Sequence, residues 1–61
     1  MNIGDRVMLI DVPECMPEEL HKIGTFKGYG FVDSTGTQIV DVLLDGDDGL
    51  TACYERQLMK I

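Results

Sequence analysis

"KGYGFVDSTGTQIVDVLLD", Lys27 to Asp45, decides the fold. Its second half, Gln38 to Asp45, alternates Val40, Val42 and Leu44 with Asp41 and Asp45, the period of two that belongs to a half-buried strand. Its first half continues a segment that starts at Gly24 and reads as a long strand softened by Gly28 and Gly30, residues that mark a bend or bulge inside a strand. Phe26 and Val32 fall on one parity of that strand, and Thr25, Lys27, Tyr29 and Phe31 on the other. "DSTGT" between the halves turns the chain. Two strands joined in this way form an antiparallel hairpin, and a glycine-bent hairpin curls.

Working outward, Arg6–Ile10 is a short run bounded by Gly4-Asp5 and Pro13 and reads as a first strand. Val12 to Ile23 follows as a long loop, since Pro13 and Pro17 exclude a central strand. Pro17 fits the first position of a helical turn with Glu18 and Glu19 behind it, and Leu20 and Ile23 are expected to pin the loop down. After Asp45, "DGDDG" is a turn, "LTACY" a fourth strand with Leu50, Ala52 and Tyr54 on one face, "ERQL" a 3₁₀ turn and "LMKI" a last short strand. The expected fold is all-β, a small five-stranded barrel formed by residues 1–61 as one domain, with a long loop after the first strand and a short 3₁₀ turn before the last. Its expected core is Val7, Leu9, Phe26, Val32, Val40, Val42, Leu44 and Leu50.

Composition narrows the function classes. Eleven acids against five bases give a net charge of −6, which opposes nucleic-acid phosphate and favours a basic partner. No apolar run spans a membrane and no basic, apolar and small-residue leader opens the chain, so the expected location is the cytoplasm. Cys15 and Cys53 are expected to be reduced, because a small secreted domain carries more cysteines than two. No cofactor or metal is expected. Cys15, His21 and Cys53 have no zinc-finger spacing, and a calcium loop counted from Asp45 fails at Gly49, Leu50 and Arg56. With a single His and no nucleophile elbow or paired-carboxylate motif, the chain is expected not to be an enzyme.

Three families are resembled. Lys27–Val32 resembles the stacking strand of RNA-recognition domains, although Ser34 stands where that pattern has an aromatic. The stretch from Lys27 to Leu44 is closer to the cold-shock domain, a five-stranded barrel. That resemblance implies single-stranded nucleic-acid binding through Lys27, Tyr29 and Phe31, yet the run Ile39–Leu43 carries none of that family's second set of rings. Over nearly the whole length the layout resembles bacterial SH3-like barrels. Gly4-Asp5-Arg6-Val7, Gly24-Thr25-Phe26, Leu43-Leu44-Asp45-Gly46 and Leu58-Met59-Lys60-Ile61 match its leading G-D-x-V, central G-T-hydrophobic, L-x-D-G turn and closing L-x-x-I.

The SH3-like resemblance implies a binding module, and Tyr54 matches the tyrosine at its late 3₁₀ turn. The early loop has no aromatic and the chain no Trp, so a proline-rich ligand is not expected. Glu14, Glu18 and Glu19 on the early loop and Asp45, Asp47 and Asp48 on the late turn are expected to converge at one rim. With Tyr54 they would dock a protein partner with a basic surface, in the extreme case as a nucleic-acid mimic that inhibits a regulator. A role as accessory subunit of a larger enzyme is the third expectation, and Tyr29 and Phe31 are expected to lie under the proline-containing loop.

Overall fold

The computed structural model describes residues 1–12, 15 and 17–61. Five antiparallel strands form one sheet: β1 (Arg6–Leu9), β2 (Ile23–Val32), β3 (Gln38–Leu44), β4 (Thr51–Tyr54) and β5 (Leu58–Lys60), in the order β4-β3-β2-β1-β5. Single 3₁₀ turns occupy Pro17–Glu19 in the loop after β1 and Glu55–Gln57 between β4 and β5. Among the described residues, His21, at φ 71°, is the non-glycine residue that takes the left-handed conformation as the loop returns. Its N–H bonds the Leu9 carbonyl, and the Leu9 N–H bonds that of Lys22, so both ends of the loop are pinned to the sheet.

Val7 and Leu9 of β1, Phe26 of β2, Val40, Val42 and Leu44 of β3, Cys53 of β4 and Leu58 of β5 pack into one cluster. All five strands feed it, so the sheet coils around its own core. It does not close into a barrel as the sequence led us to expect. β4 pairs only with β3 and β5 only with β1, and the 3₁₀ turn Glu55–Gln57 carries the chain across the gap between these two edges. Strands of four and three residues supply too few ladder groups to bridge that gap.

Two members of the expected core are outside it. Val32 is 57% and Leu50 58% exposed. Leu50 ends the turn rather than starting β4, and the register Val40↔Cys53 puts Cys53 inward and leaves Ala52 exposed, the reverse of the expected face. Val32 lies at the far end of the β2–β3 hairpin, opposite Gln38 and past the core.

Between Phe26 and Tyr29 the register slips by one residue. Phe26 pairs with Val42, Gly28 with Asp41 and Tyr29 with Val40. Gly28 has φ 129°, a backbone conformation that side chains rarely adopt, and it absorbs the extra residue as a bulge. The slip moves Tyr29 to the side of Phe26. The two rings meet edge to face, centroids 5.4 Å apart, contrary to the strict alternation read from the sequence.

Candidate functional site

Beside the open edge of β4 lies a groove of about 310 Å³. Leu9, Val12, Ile39, Ala52, Cys53 and Tyr54 line its walls. Asp11, Glu19, Thr51 and Gln57 supply its polar rim. The groove exists because β4 and β5 do not pair, so the core is covered there by the loop after β1 instead of by a strand. The Cys53 thiol is pushed up to about 11 by burial and then by the nearby Asp41 carboxylate, so it forms part of the wall and is not a ready nucleophile. Cys15 and Cys53 are both free thiols, the first exposed.

The expected acidic rim is only partly assembled. Asp45 is held by Arg6 in a two-point pair, Nη1–Oδ1 at 3.0 Å and Nη2–Oδ2 at 2.5 Å. That bond holds its carboxyl below the usual range, and it ties the β3–β4 turn to β1. Glu19 is paired with Lys22, at 3.3 Å to Oε1 and 3.2 Å to Oε2. Glu18, Asp47 and Asp48 are exposed and make no ion pair among the described residues. Glu14 lies outside the described residues. The loop and the turn do lie at one end of the sheet, since the Asp45 N–H bonds the carbonyl of Ile23, where β2 leaves the loop.

Tyr54 stands where β4 enters the late 3₁₀ turn, half-buried, with the Arg56 guanidinium 4.4 Å over its ring. Its hydroxyl donates to Asp33 Oδ2 at 2.6 Å. The other oxygen of Asp33 accepts from the N–H groups of Thr35 and Thr37 and from the Thr35 hydroxyl, which folds the β2–β3 turn around one carboxylate. These bonds, led by the Thr35 hydroxyl and then Tyr54, hold Asp33 far below the usual carboxylate range. The same carboxylate raises the Tyr54 phenol above its ordinary value.

The depressed acid stabilises the fold above its unfolded-state pKa, and that contribution is lost as pH falls through the lower folded value. The raised phenol contributes below its unfolded value, near 10, and is lost as pH climbs through the folded one. In a Tyr29→Phe background, where Tyr54 is the one remaining tyrosine, Asp33→Asn is expected to move the tyrosinate absorbance titration to lower pH. An unmoved titration would show that the Tyr54–Asp33 bond is not made.

Tyr29 and Phe31 are not covered by the early loop. They are 55% and 66% exposed, and Lys27 is exposed as well. β2 is bulged here, with register shifts between Phe26 and Gly28 and between Tyr29 and Val32. The surroundings are acidic. The Tyr29 hydroxyl donates to Glu55 Oε1 at 3.4 Å, and the Asp41 carboxylate lies against Gly30, 3.3 Å from where a Cβ would stand.

The wall residues Leu9, Val12, Ile39 and Cys53 and the rim residues Asp11 and Gln57 were not read as a site from the sequence. One signal was present, the doublet Ile39-Val40, which breaks alternation and buries both side chains. Among the described residues, no three His, Cys, Asp or Glu side chains gather as a metal site. Compared with family models, curated proteins and solved structures, the chain shows no significant match to any of them.

Proposed function

We propose that this chain is a non-enzymatic acidic binding module of SH3-like layout that docks on a basic surface of another protein. The observation that carries this reading is the apolar groove beside β4 with the Asp11 and Glu19 carboxylates on its rim. Apolar walls supply affinity, and a few polar groups at the edge supply orientation and choice of partner. The charge excess supports the sign of that partner. Arg6, Lys22 and Lys60 are taken up by Asp45, Glu19 and Asp5, whereas Asp11, Glu18, Asp47, Asp48 and Glu55 have no ion pair among the described residues. The strand order and the 3₁₀ turn before β5 support the SH3-like layout.

The test is a pull-down from the source organism with the wild type and an Asp11→Asn/Glu19→Gln variant, read by mass spectrometry. The expected result is a basic protein retained by the wild type, released as salt rises because charges are screened over about 8 Å at physiological strength, and lost from the variant. Identical captures by both chains would sink the reading.

Exposure of Tyr29 and Phe31 favours a second reading, single-stranded nucleic-acid binding, because stacking contributes about 1–3 kcal/mol per base. Asp41 and Glu55 beside the rings repel the phosphates that must follow the bases. A fluorescence-anisotropy titration with mixed-sequence DNA and RNA oligomers at physiological salt is expected to show no appreciable binding. Micromolar affinity abolished by both Tyr29→Ala and Phe31→Ala, in variants that stay folded, would put the nucleic-acid reading first.

A further inference from the structure

We infer that the groove takes its partner by strand addition: an extended segment that alternates apolar and basic residues pairs with the free edge of β4 at Ala52. This rests on the protein-binding reading above and specifies the partner's backbone and charge pattern. In an antiparallel ladder, a residue turns both its N–H and its C=O either toward a given neighbour strand or away from it, and residues two apart do the same. The Tyr54 N–H donates to Gln57 Oε1 at 2.8 Å, so it faces away from β3. Ala52, two residues earlier and paired with Asp41 as Tyr54 is with Ile39, therefore also turns its N–H and C=O outward. Ala52 is exposed and lines the groove, on a strand that has no neighbour on that side.

Gln57 closes one end of this edge, since its side chain already occupies the Tyr54 N–H. An added strand must therefore run from Ala52 toward Leu50 and is short. Its side chains alternate. One enters the groove against Leu9, Cys53 and Ile39, and the next faces the rim, where Asp11 and Glu19 favour a Lys or Arg. Glu19 is already paired with Lys22, 3.2 Å away, whereas Asp11 has no ion pair among the described residues, so Asp11 is the carboxylate left to meet a partner's cation. A second copy of this chain is the worse occupant, because each copy has a net charge of −6.

The experiment titrates ¹⁵N-labelled protein with an end-blocked peptide that alternates Lys and Val. The control probes are its Glu/Val counterpart and the Lys/Val peptide N-methylated on alternate backbone nitrogens, in both registers. Ala52→Pro removes the outward N–H and leaves the β3 ladder bonds in place, as Pro is tolerated at such edge positions. The expected result is a saturable shift of the Ala52 amide. N-methylation in one register and Ala52→Pro should each weaken binding about tenfold, the scale of losing a backbone bond at a desolvated edge. The Glu/Val peptide should not bind.

Lys/Val binding that is lost in Asp11→Asn/Glu19→Gln but indifferent to N-methylation would overturn strand addition and leave the acidic-module reading standing. Equal binding of the Glu/Val peptide would overturn both. Failure of the Lys/Val peptide to bind would overturn strand addition, with the pull-down deciding the broader reading separately. A dimer in sedimentation that is broken by Ala52→Pro would overturn the inference in favour of self-pairing. If Ala52→Pro does not fold, the N-methylated peptides carry the same test.

Discussion

Phe26→Ala is expected to remove a large share of the chain's stability at 25 °C. Phe26 is 1% exposed, the largest of the fully buried side chains, and touches Tyr29 edge to face. Its truncation costs about 3–5 kcal/mol through lost transfer energy and the cavity that remains. A chain of this length has a total stability of about 3–9 kcal/mol at the usual value per residue, so the loss takes from about a third to all of it. The measurement is urea unfolding followed by circular dichroism, with Val32→Ala as the control. Val32 has the same parity as Phe26 in the sequence, but it is 57% exposed, and its truncation is expected to stay within about 0.5 kcal/mol. Equal losses in the two variants would mean that Val32 is packed into the core and does not lie past its end, opposite Gln38.

Gly24→Ala is the second large effect. A Cβ at Gly24 would stand 2.6 Å from the Leu43 carbonyl oxygen, 2.9 Å from Leu44 Cα and 2.9 Å from Val42 Cγ1. Two of these are backbone atoms of β3, and Gly24 pairs with Leu44, so relief requires β2 and β3 to move apart where β3 delivers Val42 and Leu44 to the core. Overpacking of this kind costs about 1–3 kcal/mol and more where backbone must shift, and the upper end is expected here. It outweighs the 0.4–1 kcal/mol or so that replacing a glycine returns through the unfolded chain. Gly49→Ala is the matched control. Nothing lies within 4 Å of a Cβ there and φ is not positive, so that variant is expected to be neutral or slightly stabilised. Thermal unfolding of the pair gives the answer, and a Gly24→Ala midpoint at or above that of Gly49→Ala would show that the close approach is not made.

The strand set was legible because turn residues punctuate this chain clearly. Pro17 at the head of a turn with Glu18 and Glu19, and "ERQ" before the last strand, both appear as 3₁₀ turns. The groove was not legible. Its walls come from β1, the loop after it, β3, β4 and the late 3₁₀ turn, and none of these segments alone shows that β4 is left without a neighbour. Of the acids expected at one rim, Asp45 and Glu19 are paired with Arg6 and Lys22, and counting carboxylates along the sequence does not show that.

Alternation along Val40, Val42 and Leu44, the turn chemistry at "DSTGT" and "DGDDG", and the prolines of the early loop determined an all-β chain of five antiparallel strands with its long loop after the first. They also determined most of the core. Tertiary structure alone decided which face β4 presents, where β2 changes parity and whether the sheet closes. The physical reason is common to all three. A strand's side-chain period is two, so a slip or bulge of one residue exchanges its faces, and register is chosen by the neighbouring strand. Cys53 is inward because it pairs with Val40. Tyr29 is on the side of Phe26 because Gly28 accommodates an extra residue, and the groove stays open because β4 and β5 pair with β3 and β1 but not with each other.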